Sequence, residues 1–265
     1  MQGLASLTRR VYLSAQRQYK SFCHQDGHVD ANGVLLPAGE PSLMSFATSL
    51  SDSIPHSSIK VYLSAVHSLH IDHSLSNLLL KCLQLQHLLR GIKRVQGSSP
   101  TKQLPITIDI LSVIQGSLDL SLRDNVMLWA ACCLGFFGFL RAGEFTTSRP
   151  FDPSIYLAVS DMQPHTLVNP TCFKIHIKCS KTDPFRMSCN IYVGSGSSSI
   201  CSVAAIGNFL AIRGAAPGPL FCYADGRPLS RQQLSSSGQS ILHWAGYPGL
   251  YSGYSFHIRG PPSLT

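Results

Sequence analysis

Residues 128–145 read LWAACCLGFFGFLRAGEF, a long apolar run that stops abruptly at Arg-Ala-Gly-Glu. The strictly apolar part, residues 126–140, is 15 residues long. A membrane-spanning helix needs about 20, so the run predicts a helix buried in a protein core. Two adjacent cysteines, Cys132 and Cys133, lie in mid-run, where a disulfide framework would not place them. The nine scattered cysteines form no CxxC pair, and they predict reduced thiols in an intracellular compartment. Arg141 then leaves the core directly after the helix. An arginine there can compensate the helix dipole, or it can be a rigidly mounted guanidinium whose fork faces a phosphate.

Around this run, the pattern divides the 265 residues into an all-α part over 1–97, a linker over 98–105, and a mainly helical α+β part over 106–265. In the first part, TRRVYLSAQRQYKSFC predicts a helix capped by Thr8, with Val11, Tyr12, Ala15, Tyr19 and Phe22 on its apolar face. DGHVDANGVLLPAGEP reads as a loop and PSLMSFATSL as a short helix. Ser57 or Ser58 caps a third helix, with Ile59, Tyr62, Leu63, Val66 and Leu69 inward. A fourth helix over 76–97 stops at Gly97. In the second part, helices are expected over 106–118 and over 124–140, the latter opened by an Asp124-Asn125 cap. IYLAVSDM, CFKIHIKCS and RMSCNIYVG alternate like strands of a small antiparallel sheet. A helix ending at Gly214, a strand and turn in GPLFCYADGRPLS, and a helix in SRQQLSSSGQSILHWAG follow.

Charge indicates the class of partner. The formal net charge is +8 with a pI near 9.1, which favours a polyanion, nucleic acid before membrane. The excess is shared: 9 − 5 = +4 over residues 1–97 and 12 − 8 = +4 over 98–265. Two basic domains suit a clamp on a duplex. No metal site is expected. His67, His70 and His73 fan around a helix and predict a solvated face, and Cys172 and His176 share a strand face that Cys179 does not. VGSGSSSIC lacks the lysine of a phosphate-binding P-loop and reads as a surface loop, so no small-molecule cofactor is expected. The N-terminus carries no secretory signal pattern.

LGFFGFLRAGEF, HIKCSKTDPFR, APGPLFCYADGRPLSR and AGYPGLYSGYSF, in that order, resemble the catalytic domain of tyrosine recombinases, the phage-integrase superfamily. The resemblance is nearest to recombinases of DIRS-type and Crypton-type transposons. HSSIKVYLSAVHSLH and LQLQHLLRGIKRVQG resemble the core-binding domain of the same proteins. It implies that Arg141 binds the scissile phosphate, that Glu144 supports it, and that Lys181 in the hairpin protonates the leaving oxygen. It further implies double-stranded DNA as partner, a possible homo-oligomer on DNA, a nuclear location and no cofactor. DNA contacts are expected from Arg9, Arg10, Lys60, Arg90, Lys93 and Arg94.

The family pattern SGHSFRIGAA is here SGYSFHIRGPP, so Tyr254 stands in the place of a histidine and His257 in the place of the second phosphate-binding arginine. The sequence given stops eight residues after His257, before the place of the family's nucleophilic tyrosine. The tail GPPSLT can be encoded so that a one-base shift reads AAITH, close to the family's continuation. The expectation is a DNA-binding, catalytically defective, truncated recombinase. The alternatives are a subunit whose nucleophile comes in trans, or a non-functional decayed transposon product. Arg141, Lys181 and the 254–257 segment are expected to converge on one open positive site, with Arg141 about 10 Å or less from His257.

Overall fold

The computed structural model describes residues 5–29, 34–75, 82–97, 103–180, 183, 185, 187–195, 200–247, 249, 251–253 and 255–256. The chain forms two compact units, Met1–Pro100 and Thr101–Thr265. It is mainly α-helical, with one small antiparallel sheet. No helix among the described residues is long and apolar enough to cross a membrane.

The first unit holds α1 (Ser6–Gln25), α2 (Glu40–Ser51), α3 (His56–Asp72) and α4 (Leu83–Gln96). Its core gathers Tyr19, Phe22, Leu43, Phe46, Ile59, Leu63 and Leu85, with Tyr19 edge-on to Phe46 at 5.1 Å. Ala15, Tyr19 and Phe22 are buried as their spacing predicts, but Val11 is exposed. Neither expected cap holds. The first helix starts at Ser6, ahead of Thr8. The third starts at His56, because the carbonyl of Pro55 already accepts from the Ser58 and Ile59 amides. Proline's fixed φ pre-sets that entry, so neither serine hydroxyl is needed. Residues 76–81 of the expected fourth helix lie outside the described residues, while its stop at Gly97 is present with φ +71°.

The histidine face differs more sharply from expectation. His73 is exposed, but His67 is half-buried and His70 is fully buried. His70 Nε2 accepts from the Ala38 amide at 2.9 Å, and its Nδ1 lies 2.9 Å from the Val66 carbonyl. A neutral imidazole with Nδ1–H donating fits both bonds. The ring thus closes the 34–39 segment onto α3, a long-range role that helical spacing does not reveal.

The second unit holds α5 (Ile108–Gly116), α6 (Arg123–Phe137), α7 (Ala142–Phe145), β1 (Met162–Pro164), β2 (Cys172–Ile177), β3 (Cys189–Gly194), α8 (Ser202–Arg213) and α9 (Arg231–Trp244). Every residue from Val126 to Gly135 is buried, so α6 is the central core helix. Burial pushes the Cys132 thiol up to about 12, and Cys133 is raised further, by burial first. The sheet runs β1-β2-β3, all antiparallel, with Ile175 opposite both Met162 and Ile191. Phe173, Ile175 and Ile177 of β2 face the core, while Cys172 and His176 share the other face.

Three expectations need correction here. Asp124 does not cap α6; its carboxylate accepts from the Ala224 amide, 100 residues away, at 2.9 Å. IYLAVSDM is not a strand before Met162. Asp161 folds back to accept from the Ala158 amide at 2.7 Å, which curls Val159–Asp161 into a 3-10 turn. GPLFCYADGRPLS makes only isolated bridges, because its amides bond within its own turn and to Leu157.

The end of α6 is also earlier than expected. The Leu140 amide bonds to the Gly135 carbonyl at 3.0 Å and the Phe139 amide to the Phe136 carbonyl at 3.3 Å. Those two bonds form a Schellman motif, whose left-handed residue is usually glycine. Here it is Phe139, with φ +50°. A left-handed conformation costs an L-residue with a Cβ about 1–2 kcal/mol.

Candidate functional site

Leu140 is buried and anchors the chain just past that motif, so Arg141 emerges from a fixed point. It adopts an extended backbone and opens the short turn α7. Glu144 then lies one turn away and binds Arg141 twice. Its Oε2 accepts from the Arg141 amide at 2.8 Å, and its Oε1 accepts from Arg141 Nη1 at 3.2 Å. The Glu144 side chain is 9% exposed and that of Arg141 32%. Among the described residues the guanidinium's hydrogen bonds go to Glu144 and Ser180, not to the terminal carbonyls of α6.

A third side chain completes the cluster. Ser180 Oγ donates to Glu144 Oε1 at 2.6 Å and lies 3.5 Å from Arg141 Nη1. Sequence reasoning did not select Ser180, although it directly precedes Lys181 in KCSKTDPFR. Its hydroxyl ties the turn beyond β2 to the turn beyond α6 across 36 positions. Among the described residues, every hydrogen bond of the guanidinium runs through Nη1. No described residue engages the Nε–Nη2 edge, the pair of parallel donors that matches two oxygens of a phosphate.

The 251–256 segment reaches the same corner. A methyl group at Gly253 would stand 3.1 Å from Ala142 Cβ, and one at Gly135 would stand 3.6 Å from Phe256 Cβ. The Gly253 amide donates to Ser235 Oγ at 3.2 Å, and the Ser255 carbonyl accepts from the Ile106 amide at 3.0 Å. Gly253 thus sits in close approach to the residue after Arg141, where a larger side chain would force a shift of a few tenths of an ångström. Lys181, Tyr254 and His257 lie outside the described residues, and so does the separation of Arg141 from His257. Ser180 and Gly253, which precede Lys181 and Tyr254, are both in the Arg141 neighbourhood.

In the first unit all six expected DNA contacts, Arg9, Arg10, Lys60, Arg90, Lys93 and Arg94, are exposed. Arg90, Lys93 and Arg94 stand at positions i, i+3 and i+4 of α4 and share one face. Gln96 joins this helix to the α2–α3 turn, donating to the Ser51 and Ile54 carbonyls and accepting from the His56 amide. Desolvation, then the charges of Lys60 and Lys93, hold the His56 imidazole below its usual value. Lys60 and Lys93 thus reach a common neighbourhood from two helices. Arg9 and Arg10 lie early in α1.

Replacing Ser180 with alanine removes one short hydrogen bond to a carboxylate at a half-buried position. The expected loss of stability is about 1 kcal/mol by thermal unfolding, with Ser180→Thr close to the parent. An unchanged Ser180→Ala melting curve would show that the turn is held by other contacts.

No family model matches the sequence, and a search of curated proteins gives no match. Solved structures do resemble it. A lambda integrase dimer bound to a COC′ core site aligns with 96% of this chain and 78% of its own, at TM-score 0.60 and 16% identity. The XerH site-specific recombinase bound to palindromic difH substrate, a post-cleavage complex, aligns with 94% of this chain at TM-score 0.58 and 16% identity. This chain spans 65% of the length of that XerH chain. The pre-cleavage XerH complex gives TM-score 0.55 over 95% of this chain, also at 16% identity. At such identity the likeness is one of fold: the chain has the mainly α architecture of these recombinase and integrase structures.

Proposed function

We propose that this chain is a DNA-binding protein of the tyrosine recombinase kind, of the transposon-borne branch, and that Arg141 grips a backbone phosphate of double-stranded DNA. The observation that carries the reading is the Arg141 side chain itself. Glu144 and Ser180 hold Nη1, the stem leaves a buried leucine, and among the described residues no hydrogen bond engages the Nε–Nη2 edge, which suits a bidentate anion. A guanidinium pre-oriented in this way loses little entropy on binding phosphate. The fold of DNA-bound recombinases, the net charge of +8 and the exposed α4 basic face support the same partner. Lys60, Arg90, Lys93 and Arg94 then supply phosphate contacts that give affinity more than sequence preference. More than one copy on a duplex belongs to the same reading.

The reading includes defective catalysis. Lys181 is the general-acid candidate, while Tyr254 and His257 replace a histidine and an arginine of the family pattern. Histidine cannot present a five-donor fork to a phosphorane, and losing one such stabilising group commonly costs on the order of 10²–10³ in rate. Electrophoretic mobility shifts on duplex DNA across a salt series test the proposal. Affinity is expected to fall steeply from low to moderate salt, in a log–log line, with no covalent protein–DNA adduct on a nicked duplex. Salt-independent retention, or none at low salt, overturns the DNA reading. An adduct overturns the catalytic part alone.

A further inference from the structure

The outer face of the sheet carries a lysine and an aromatic ring but no carboxylate. Phe173, Ile175 and Ile177 turn inward, so Gln163, Lys174 and Tyr192 form one row across the opposite face, with Lys174 between the other two. Strands lie about 4.8 Å apart, which makes the row about 10 Å long. A second row holds His176 and Asn190, whose Nδ1 and Oδ1 are 3.0 Å apart. Gln163, Asn190 and Tyr192 are exposed, the tyrosine to 67%. A lysine on a strand commonly gains from an acid directly opposite. Here no Asp or Glu occurs in 162–177 or in 189–195, although the chain has 13 of them. The face also borders the Arg141 corner. Ile191, next to Tyr192, lies against the end of α6, its Cδ1 3.3 Å from where a methyl group at Gly138 would stand. At its far end β2 leads to Ser180, beside Arg141 Nη1. The six steps from Lys174 to Ser180 span at most about 20 Å, roughly six base pairs of a duplex.

We propose that this sheet face is a second backbone-contact surface for duplex DNA, with Lys174 as its charge contact and Gln163 and Tyr192 as the flanking donors. The inference rests on the DNA reading of the chain and extends the contact beyond the phosphate that Arg141 holds. Lys, Gln and Tyr side chains all bond phosphate and sugar oxygens, which positions a protein on a duplex without reading sequence. A duplex carries one charge per about 1.7 Å of its axis, so a row of about 10 Å laid against it meets more than one phosphate. Charge selects this occupant: the strands offer a polyanion a cation and no carboxylate to repel it. The ladder of hydrogen bonds fixes the spacing of the row, so little order has to be gained on binding.

The test compares Lys174→Gln, Lys174→Arg and Tyr192→Thr in the full chain, by thermal unfolding and by affinity for duplex DNA across a salt series. All three keep strand-compatible side chains on a solvent face, so melting temperatures within about 3 °C of the parent are expected. Lys174→Gln is expected to weaken binding about threefold or more and to lower the log–log salt slope by about 1, because one phosphate contact is lost. Lys174→Arg keeps the charge and should keep the slope. Tyr192→Thr should lose affinity, about threefold, with the slope unchanged. A Lys174→Gln chain with the parent's affinity and slope overturns the proposal. So does a Lys174→Arg chain that loses as much as Lys174→Gln, since the lysine would then act through the fold and not through its charge. Loss with Arg141→Ala but not with Lys174→Gln removes the sheet face and leaves the phosphate reading of Arg141 standing. A parent chain without salt-dependent binding defeats the DNA reading first, and this inference with it.

Discussion

Replacing Asp161 with alanine is expected to destabilise the second unit by about 3 kcal/mol, the low end of what breaking a buried ion pair costs. Asp161 is 8% exposed and its Oδ2 accepts from Lys178 Nζ at 2.5 Å and from the Ala158 amide at 2.7 Å. Lys178, 19% exposed, otherwise donates to the Pro153 carbonyl. Alanine at 161 therefore leaves an ammonium short of its counter-charge and an amide without its acceptor. It also loosens the 3-10 turn that leads into β1. For a unit of this size, a melting temperature lower by roughly 6–12 °C follows. Adding Lys178→Met should restore part of the loss, because the uncompensated charge goes with it. A drop under about 1 kcal/mol for Asp161→Ala would show that the pair is solvated in solution and worth no more than a surface bridge.

Replacing Arg141 with alanine is expected to leave folding nearly intact and to weaken DNA binding about tenfold or more, with the log–log salt slope smaller by about 1. Folding survives because Glu144 keeps two partners, the amide of residue 141 and the Ser180 hydroxyl. Binding suffers because the guanidinium donates at a position set by a buried anchor, and no neighbouring cation in the described cluster replaces it. Arg141→Lys should restore the slope but only part of the affinity, since an ammonium keeps the charge and loses the fork. Equal affinity and equal slope for Arg141→Ala would remove the residue from the interface.

Much of the framework was legible along the chain because it depends on neighbours in sequence. Fifteen apolar residues in a row have few places to go but a core, and Val126–Gly135 are all buried. Alternation in CFKIHI put Phe173, Ile175 and Ile177 on the inner face of β2. Glycines with positive φ stop α4 and α8 where expected, at Gly97 and Gly214. That Glu144 supports Arg141 came from the family resemblance, and the two are indeed paired one turn apart.

What the tertiary structure decided is where polar groups found partners far away in the chain. Asp124 reads locally as a helix cap, yet its carboxylate serves the Ala224 amide. His70 reads as part of a solvated stripe, yet its Nε2 closes the 34–39 segment through the Ala38 amide while Nδ1 is held by the Val66 carbonyl of its own helix. Ser180 has no local signal at all; it matters because the turn beyond β2 comes to rest against Glu144. Phe139 contradicts local preference outright, its left-handed backbone held by two helix-end bonds and the buried Leu140 beside it. The physical reason is clearest for His70, the buried one of the four. Propensity and periodicity measure the local cost of a conformation, at most about 1 kcal/mol per ordinary residue. A buried polar group left without a partner costs 1–3 kcal/mol, so long-range pairing overrides the local preference wherever the two compete.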